Sequence, residues 1–406
     1  MTKFDFTSIM DRRHHDAIAV DCPAEQKFGF TGFTPKEGFD IIPMWVADMN
    51  FPVVPAIQKA MQERIDHPAF GYFMPRDEYF ESIIRWQKEH HGIEDLKPEH
   101  IGYENGVLGG VVSAMNVLAG KGGKILLHSP TYIGFTGSLE NNGFHLVLSP
   151  LYQDDSGIWR MDYEDMEKRI VEEDIHAAIM CNPHNPTGRV WEKEELEKAY
   201  EIFERHDVYV VSDEIWSDLT LDGYRHIPCQ SVSEYARSHT AAMYAPSKTF
   251  NLAGLIGSYH IIYDKWLCDR ILKESSLSHY NSMNILSMYA LIGAYSEEGK
   301  EWVEELRQVL SGNVDWAYSY IREHFEGVSL LKPQGTYMLF IDCEEFCKKQ
   351  GIDIDELLRK GWEVGVFWQD GRPFHGRWNI RMNLALPLSR VQEAFERLDR
   401  YVFNGE

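Results

Sequence analysis

A chain of 406 residues can bury a large core and has the length of two domains. Its formal net charge of −23 repels polyphosphate and anionic lipid, which argues against nucleic acid and acidic membranes as partners. No run of about 18 apolar residues occurs, the first residues carry no signal-peptide core, and six cysteines make no disulfide framework. A reduced, cytoplasmic, soluble protein is expected.

In chain order, the first distinctive stretch is Pro43-Met44-Trp45-Val46-Ala47-Asp48-Met49-Asn50-Phe51-Pro52, followed by Phe70-Gly71-Tyr72. Gly106-Val107-Leu108-Gly109-Gly110 then opens an apolar stretch at 111–118. Backbone N–H groups at such a helix start bind anions well, although a plain turn has the same composition. No Gly-Lys-Ser/Thr closes the cluster, so it is not a P-loop, and it lacks the dinucleotide fingerprint.

From about 100 to 265, short apolar runs alternate with longer amphipathic ones. Ile125-Leu126-Leu127, Leu146-Val147-Leu148, Ala177-Ala178-Ile179-Met180, Val208-Tyr209-Val210-Val211 and Ala241-Ala242-Met243-Tyr244 read as buried strands. Residues 192–205 read as a surface helix with Leu196, Tyr200 and Phe203 on one face. This alternation predicts an α/β fold with a mostly parallel sheet. Beyond it come a helical stretch at 297–325, a strand-like run at 335–340 and a helix-like run at 353–360. That change of rhythm predicts a second, smaller α+β domain. Adjacent histidines (His14-His15, His90-His91) do not share a helix face and read as solvated. Cys343 and Cys347 suit one helix face but lack a second pair for zinc.

Tyr132, Asn185, Asp213 and Lys248 each lie just beyond the carboxyl end of a predicted strand, the edge where open α/β sheets bind ligands. Lys248, in Ala-Pro-Ser-Lys-Thr-Phe-Asn-Leu-Ala-Gly, is a costly ammonium to desolvate and can instead condense with an aldehyde. Its other reading is a surface lysine. Asp213 reads alone as a helix N-cap before Glu214, Asn185 as a turn residue, and Tyr132 as a core tyrosine. Arg381, in Asn-Ile-Arg-Met-Asn-Leu-Ala, needs an anion: a substrate carboxylate or an internal acid.

The ordered trio Asn185, Asp213 and Lys248 resembles the pyridoxal-phosphate (PLP) enzymes of the aspartate aminotransferase fold, fold type I, in aminotransferase class I/II. The resemblance implies a large PLP-binding domain over 50–290, and a small domain formed by 1–49 and 291–406. It implies that Lys248 carries the cofactor as a Schiff base and shuttles the substrate's α-proton. Asp213 would pair with the pyridine nitrogen, where opposite charges ~4 Å apart attract by about 4 kcal/mol at an effective dielectric near 20. Asn185 would donate to the phenolic oxygen and Tyr132 would stack on the ring. Gly106, Val107 and Leu108 would hold the phosphate, with Ser247 assisting and Trp216 near the ring. Arg381 and Ala47 would bind the substrate. Tyr72 would reach the phosphate of the other subunit, implying a homodimer with shared active sites. No metal is implied.

Residues 44–52 resemble the Met-Trp-Val-Ala-Asp-Met-Asp-Phe run of the MalY/PatB-type cystathionine β-lyases (C–S lyases). That implies α,β-elimination of S-substituted cysteines to thiol, ammonia and pyruvate. Four positions depart from the relatives' pattern. Asn50 replaces an Asp, Trp216 a Tyr or His, Ala245 a phosphate-binding Ser, and Ile256 an Arg. The stretch 275–281 carries no arginine for a dicarboxylic side chain. An aminotransferase acting on uncharged amino acids uses the same residues, and a catalytically silent binding protein keeps the same fold.

Overall fold

The computed structural model describes residues 3–277 and 281–405. The chain forms two compact units. One comprises Val53–Asn185 and Arg189–Glu304; the other comprises the chain up to Pro52, Pro186–Gly188 and the chain from Glu305 onward.

The larger unit is built on an eight-stranded sheet. Its order is Ile101–Glu104, Ser258–Ile261, Thr240–Tyr244, Tyr209–Asp213, Ala177–Cys181, Lys124–Ser129, His145–Gln153, Trp159–Met161. The five strands from Thr240–Tyr244 to His145–Gln153 are parallel, and antiparallel pairs finish both edges. All five apolar runs read as strands lie in this parallel set. Ala177–Cys181 and Thr240–Tyr244 are buried at every residue, which is why their sequences run apolar without alternation.

The two faces of the sheet divide its side chains. Ile125, Leu127, Ile179, Val211 and Met243 pack into one core beneath the helices Val107–Leu118, Ile133–Asn141 and Lys265–Ser276. Leu126, Ala178, Met180 and Val210 point to the opposite core, with Tyr163–Glu173 and Lys193–Arg205 over it. Leu196, Tyr200 and Phe203 do form the buried face of Lys193–Arg205. Gly110 permits the close approach of its helix to the sheet. A Cβ there would meet Glu104 Cγ and Met243 Sδ at 3.0 Å each.

In the smaller unit, Met338–Asp342, Asn379–Asn383 and Gln369–Asp370 form an antiparallel sheet in the order first, second, third. Ile42–Pro43 pairs in parallel with Val366–Phe367. The strand expected at 335–340 begins only at Met338, because Thr336 takes a left-handed turn (φ 67°) just before it. The helix expected at 353–360 runs over Ile354–Glu363, with Asp353 as its N-cap accepting from Glu356 N at 2.8 Å.

Two readings change. No helix follows Asp213; residues 215–218 are turns, so it caps no helix. His91 is not solvated. It is buried, with Nε2 3.0 Å from Asp218 Oδ1, while His90 stacks on Trp86 at 3.8 Å between ring centroids. Neighbours on a helix point 100° apart, so one can enter the core while the other lies along its rim. No helix of the described residues is long and apolar enough to cross a membrane, and none of their His, Cys, Asp and Glu side chains cluster as a metal site would.

Candidate active site

The strand register sets the site. Cys181 lies opposite Asp213, and Asp213 opposite Met243, so three neighbouring parallel strands end in one row. Asn185 follows the first within four residues, Asp213 ends the second, and Lys248 follows the third within four.

Asp213 is buried, and its Oδ1 accepts from Ile215 N at 3.1 Å. Burial raises its carboxyl to about 7, although the Ile215 N–H and the nearby Lys248 charge pull the other way. Lys248 is half-buried in the helical turn Pro246–Thr249. Its Nζ lies 5.7 Å from the centroid of the fully buried Trp216 ring, which places Trp216 against the lysine. Ser247 is in the same turn, its carbonyl accepting from Leu252 N at 3.0 Å. Asn185 is buried. Beside it His184 and, farther back, His128 are driven down to about 3 and about 4 by burial, so both stay neutral.

Gly106 caps the helix Val107–Leu118 at φ 83°, a conformation that favours glycine, and no side chain caps the helix. The first N–H groups of a helix have no acceptor within it, so Val107 and Leu108 present an anion-binding end. Tyr132 comes to the same place. A Cβ on Gly134 would lie 2.3 Å from Tyr132 Cε1 and 2.9 Å from Leu108 Cδ1. The ring is further held edge-on by Phe135, 5.4 Å between centroids. Asn281 pins the approach: its Oδ1 accepts from Asn105 N at 2.6 Å and its Nδ2 donates to Tyr103 O at 2.8 Å. Ile256 lies here too, its Cγ2 3.6 Å from where a Gly106 Cβ would be. Ala245 is buried at the start of the lysine turn and offers no cap. Tyr72 is fully exposed (111%), beside exposed Phe70 and Met74. Of the stretch searched for a second arginine, 278–280 lie outside the described residues.

These residues fit PLP. A carboxyl raised to about 7 by burial is the partner a cationic ring nitrogen would stabilise, Tyr132 and Leu108 meet above one glycine, and the uncapped helix start suits a phosphate.

Arg381 belongs to the smaller unit. It is buried in the strand Asn379–Asn383, and its Nη2 donates to Gln369 Oε1 at 2.5 Å and Trp45 O at 3.3 Å. The guanidinium lies 4.4 Å over the Phe374 ring. Residues 44–50 are clamped around the same strand. Asn383 Nδ2 donates to the carbonyls of Val46 and Asp48, both at 2.6 Å, on either side of Ala47. Arg12 grips Asp48 through both guanidinium nitrogens (2.5 and 3.2 Å) and donates to Asn50 Oδ1 at 3.1 Å. This gives the Asn50 departure a physical meaning. One arginine here balances one carboxylate, with a neutral amide as its third acceptor.

Sequence reasoning missed Glu214, Asp218, Thr249, His91 and His226. Each is buried and hydrogen-bonded directly behind Asp213 or Lys248. Glu214 and Thr249, next in sequence to those two residues, were the available signal.

The family model described as aminotransferase class I and II matches residues 40–398. The cystathionine beta-lyase PatB of Bacillus subtilis is 33% identical over 362 residues, covering 88% of this chain and 92% of PatB. Among solved structures, a PLP-bound protein of Clostridium difficile 630, described as a possible aminotransferase, superposes with a TM-score of 0.89 at 34% identity, over 98% of this chain and 99% of that one. The PLP-bound C–S lyase of Staphylococcus hominis superposes with a TM-score of 0.87 at 28% identity, over 98% of both chains.

Proposed function

The chain belongs to the aminotransferase class I and II family, and on that premise we propose that it is a PLP-dependent C–S β-lyase. With one water consumed, it cleaves cystathionine or related S-substituted cysteines to thiol, ammonia and pyruvate. The observation that carries the PLP chemistry is Asp213, buried beside Lys248 and raised to about 7. The lyase branch is supported by residues 44–52 and by the relatives named cystathionine beta-lyase and C–S lyase.

Bound PLP supplies an electron sink conjugated to the substrate's α-carbon. In our reading Lys248 first holds the cofactor and then, as a free amine, takes the α-proton. Asp213 keeps the ring nitrogen protonated, Asn185 donates to the phenolic oxygen, and Tyr132 covers the ring face. Trp216 packs against the lysine chain. Gly106, Val107, Leu108 and Ser247 hold the phosphate. Arg381, with Ala47 of the segment that Asn383 clamps, binds the α-carboxylate. The α C–H and β C–S bonds break, and sulfur leaves with the bonding pair.

We further propose a cytoplasmic homodimer in which Tyr72 reaches the partner's phosphate site. Its full exposure, with Phe70 and Met74, leaves an apolar strip for a second copy to cover.

The deciding experiment is pyruvate and thiol release from cystathionine by purified protein with no 2-oxo acid present. Product without acceptor supports the lyase. Product only after a 2-oxo acid is added replaces it with the aminotransferase. A visible cofactor absorption without turnover of either kind replaces both with a binding protein.

A further inference from the structure

Behind the lysine turn lies a buried polar network that the chemistry above does not use. Thr249 directly follows Lys248 and is fully buried. Its hydroxyl donates to Asp218 Oδ2 at 2.9 Å. The other oxygen of Asp218 takes Trp86 Nε1 and His91 Nε2, each at 3.0 Å. One carboxylate with a 4% exposed side chain therefore ties the helix Asp77–His91 to the turn that carries Lys248. Burial opposes its ionisation, but the bonds from His91 and Trp86 outweigh it and hold its pKa below the usual carboxylate range.

A parallel anchor sits one step away. Tyr244, the last residue of the strand entering the turn, donates to Glu214 Oε2 at 2.7 Å. Glu214 directly follows Asp213. Its carboxylate also accepts from Ser212 Oγ at 2.7 Å and Cys229 N at 3.1 Å, and meets His226 Nε2 at 2.7 Å. The His91 and His226 rings meet edge to face, 5.2 Å apart. Asp213 and Lys248 are thus each followed by a residue rooted in one of two touching acid–histidine pairs.

We propose that Thr249, through Asp218, is a positioning residue for Lys248, setting where its amine stands relative to the cofactor and the substrate's α-carbon. This rests on Lys248 being the cofactor lysine. A lysine side chain has four torsions, so its reach is not limiting. Its productive arc is set by the backbone that launches it, and a misplacement of about 1 Å can cost a factor near 100 in rate. The Thr249 hydroxyl ties this turn to the core, whereas the turn's own backbone bonds, Phe250 N to Pro246 O at 2.9 Å and Leu252 N to Ser247 O at 3.0 Å, are local to it, and a four-residue helix supplies little rigidity of its own.

The test compares wild type with Thr249→Val, which keeps the shape and removes the donor, and Thr249→Ser, which restores it. Three quantities are read. They are kcat against KM, the pH midpoint of the bound cofactor's visible band, and the rate at which apoprotein forms a borohydride-reducible link with added PLP. Thr249→Val is expected to lower kcat and the linkage rate at least tenfold and to shift the band's midpoint, with KM within threefold. Thr249→Ser is expected to recover both rates to within threefold. Wild-type values for Thr249→Val, or a Thr249→Ser variant as impaired as Thr249→Val, overturn the proposal. If Thr249→Val does not fold, Thr249→Cys, a weaker donor of similar size, reads the same quantities. Peptide mapping of the reduced protein separates the two levels. Label on another lysine defeats the assignment of Lys248, whereas label on Lys248 with wild-type kinetics in Thr249→Val defeats only the positioning role.

Discussion

Asp213, in the role proposed for it, is the residue at which function opposes stability. Its folded pKa of about 7 stands above its ordinary 3.8. The folded apoprotein therefore keeps a proton that the unfolded chain loses. That stabilisation is fully present below 3.8, falls as pH rises through 7, and is gone above it. The difference amounts to something of order 4 kcal/mol between pH 4 and pH 8. Asp213→Asn, neutral throughout, should raise the melting temperature of the apoprotein at pH 8 and leave it little changed at pH 4. The same variant should lose nearly all turnover, because the ring nitrogen loses its counter-charge. Thermal melts of both apoproteins at the two pH values check the sign. An apoprotein of Asp213→Asn that melts lower than wild type at pH 8 would contradict the burial penalty.

At the scale of elements, the helix starts make the site. Gly134, in the first turn of Ile133–Asn141, leaves the space that Tyr132 and Leu108 fill. Gly134→Ala puts a methyl where the Tyr132 ring now lies. Alanine is the better helix former by about 1 kcal/mol, so the helix itself gains. The ring, at the end of a flexible side chain, must swing away. PLP retention should therefore fall about tenfold while thermal stability of the apoprotein holds or rises. Equilibrium dialysis with absorbance, set beside a melt, separates the two effects. Unchanged retention would mean that Tyr132 does not cover the cofactor.

At the scale of the whole molecule, the exposed Tyr72 strip is the feature that one chain leaves unexplained. Ala245 and Ile256 supply neither hydroxyl nor guanidinium for the phosphate. The uncapped helix start is worth up to about 2 kcal/mol in a partly buried setting. Each hydrogen bond to the charged phosphate adds roughly 1.5–3 kcal/mol. If one of these comes from Tyr72 of a second copy, Tyr72→Phe should weaken PLP binding at least tenfold, and dilution to monomer should release the cofactor. Equal dissociation constants for wild type and Tyr72→Phe would remove the cross-subunit contact.

What the sequence determined by itself was whatever one segment expresses locally. The central strands were legible because burial on both faces leaves an unbroken apolar run, as in Ala177–Cys181 and Thr240–Tyr244. The polar landmarks Asn185, Asp213 and Lys248 were legible because a charge or amide at the end of such a run has no packing reason to be there. Residues 44–52 identified the branch by their order alone. Only the tertiary structure decided that Asp213 begins a turn rather than a helix, that His91 is buried, and that Thr249 and Trp86 meet at one carboxylate. Asp218 lies 31 residues from Thr249, 127 from His91 and 132 from Trp86. Hydrogen bonds across such separations leave no periodicity in the chain. Each partner, read alone, is an ordinary helix or turn residue, and the cost of burying an acid becomes visible only once the fold has brought its donors together.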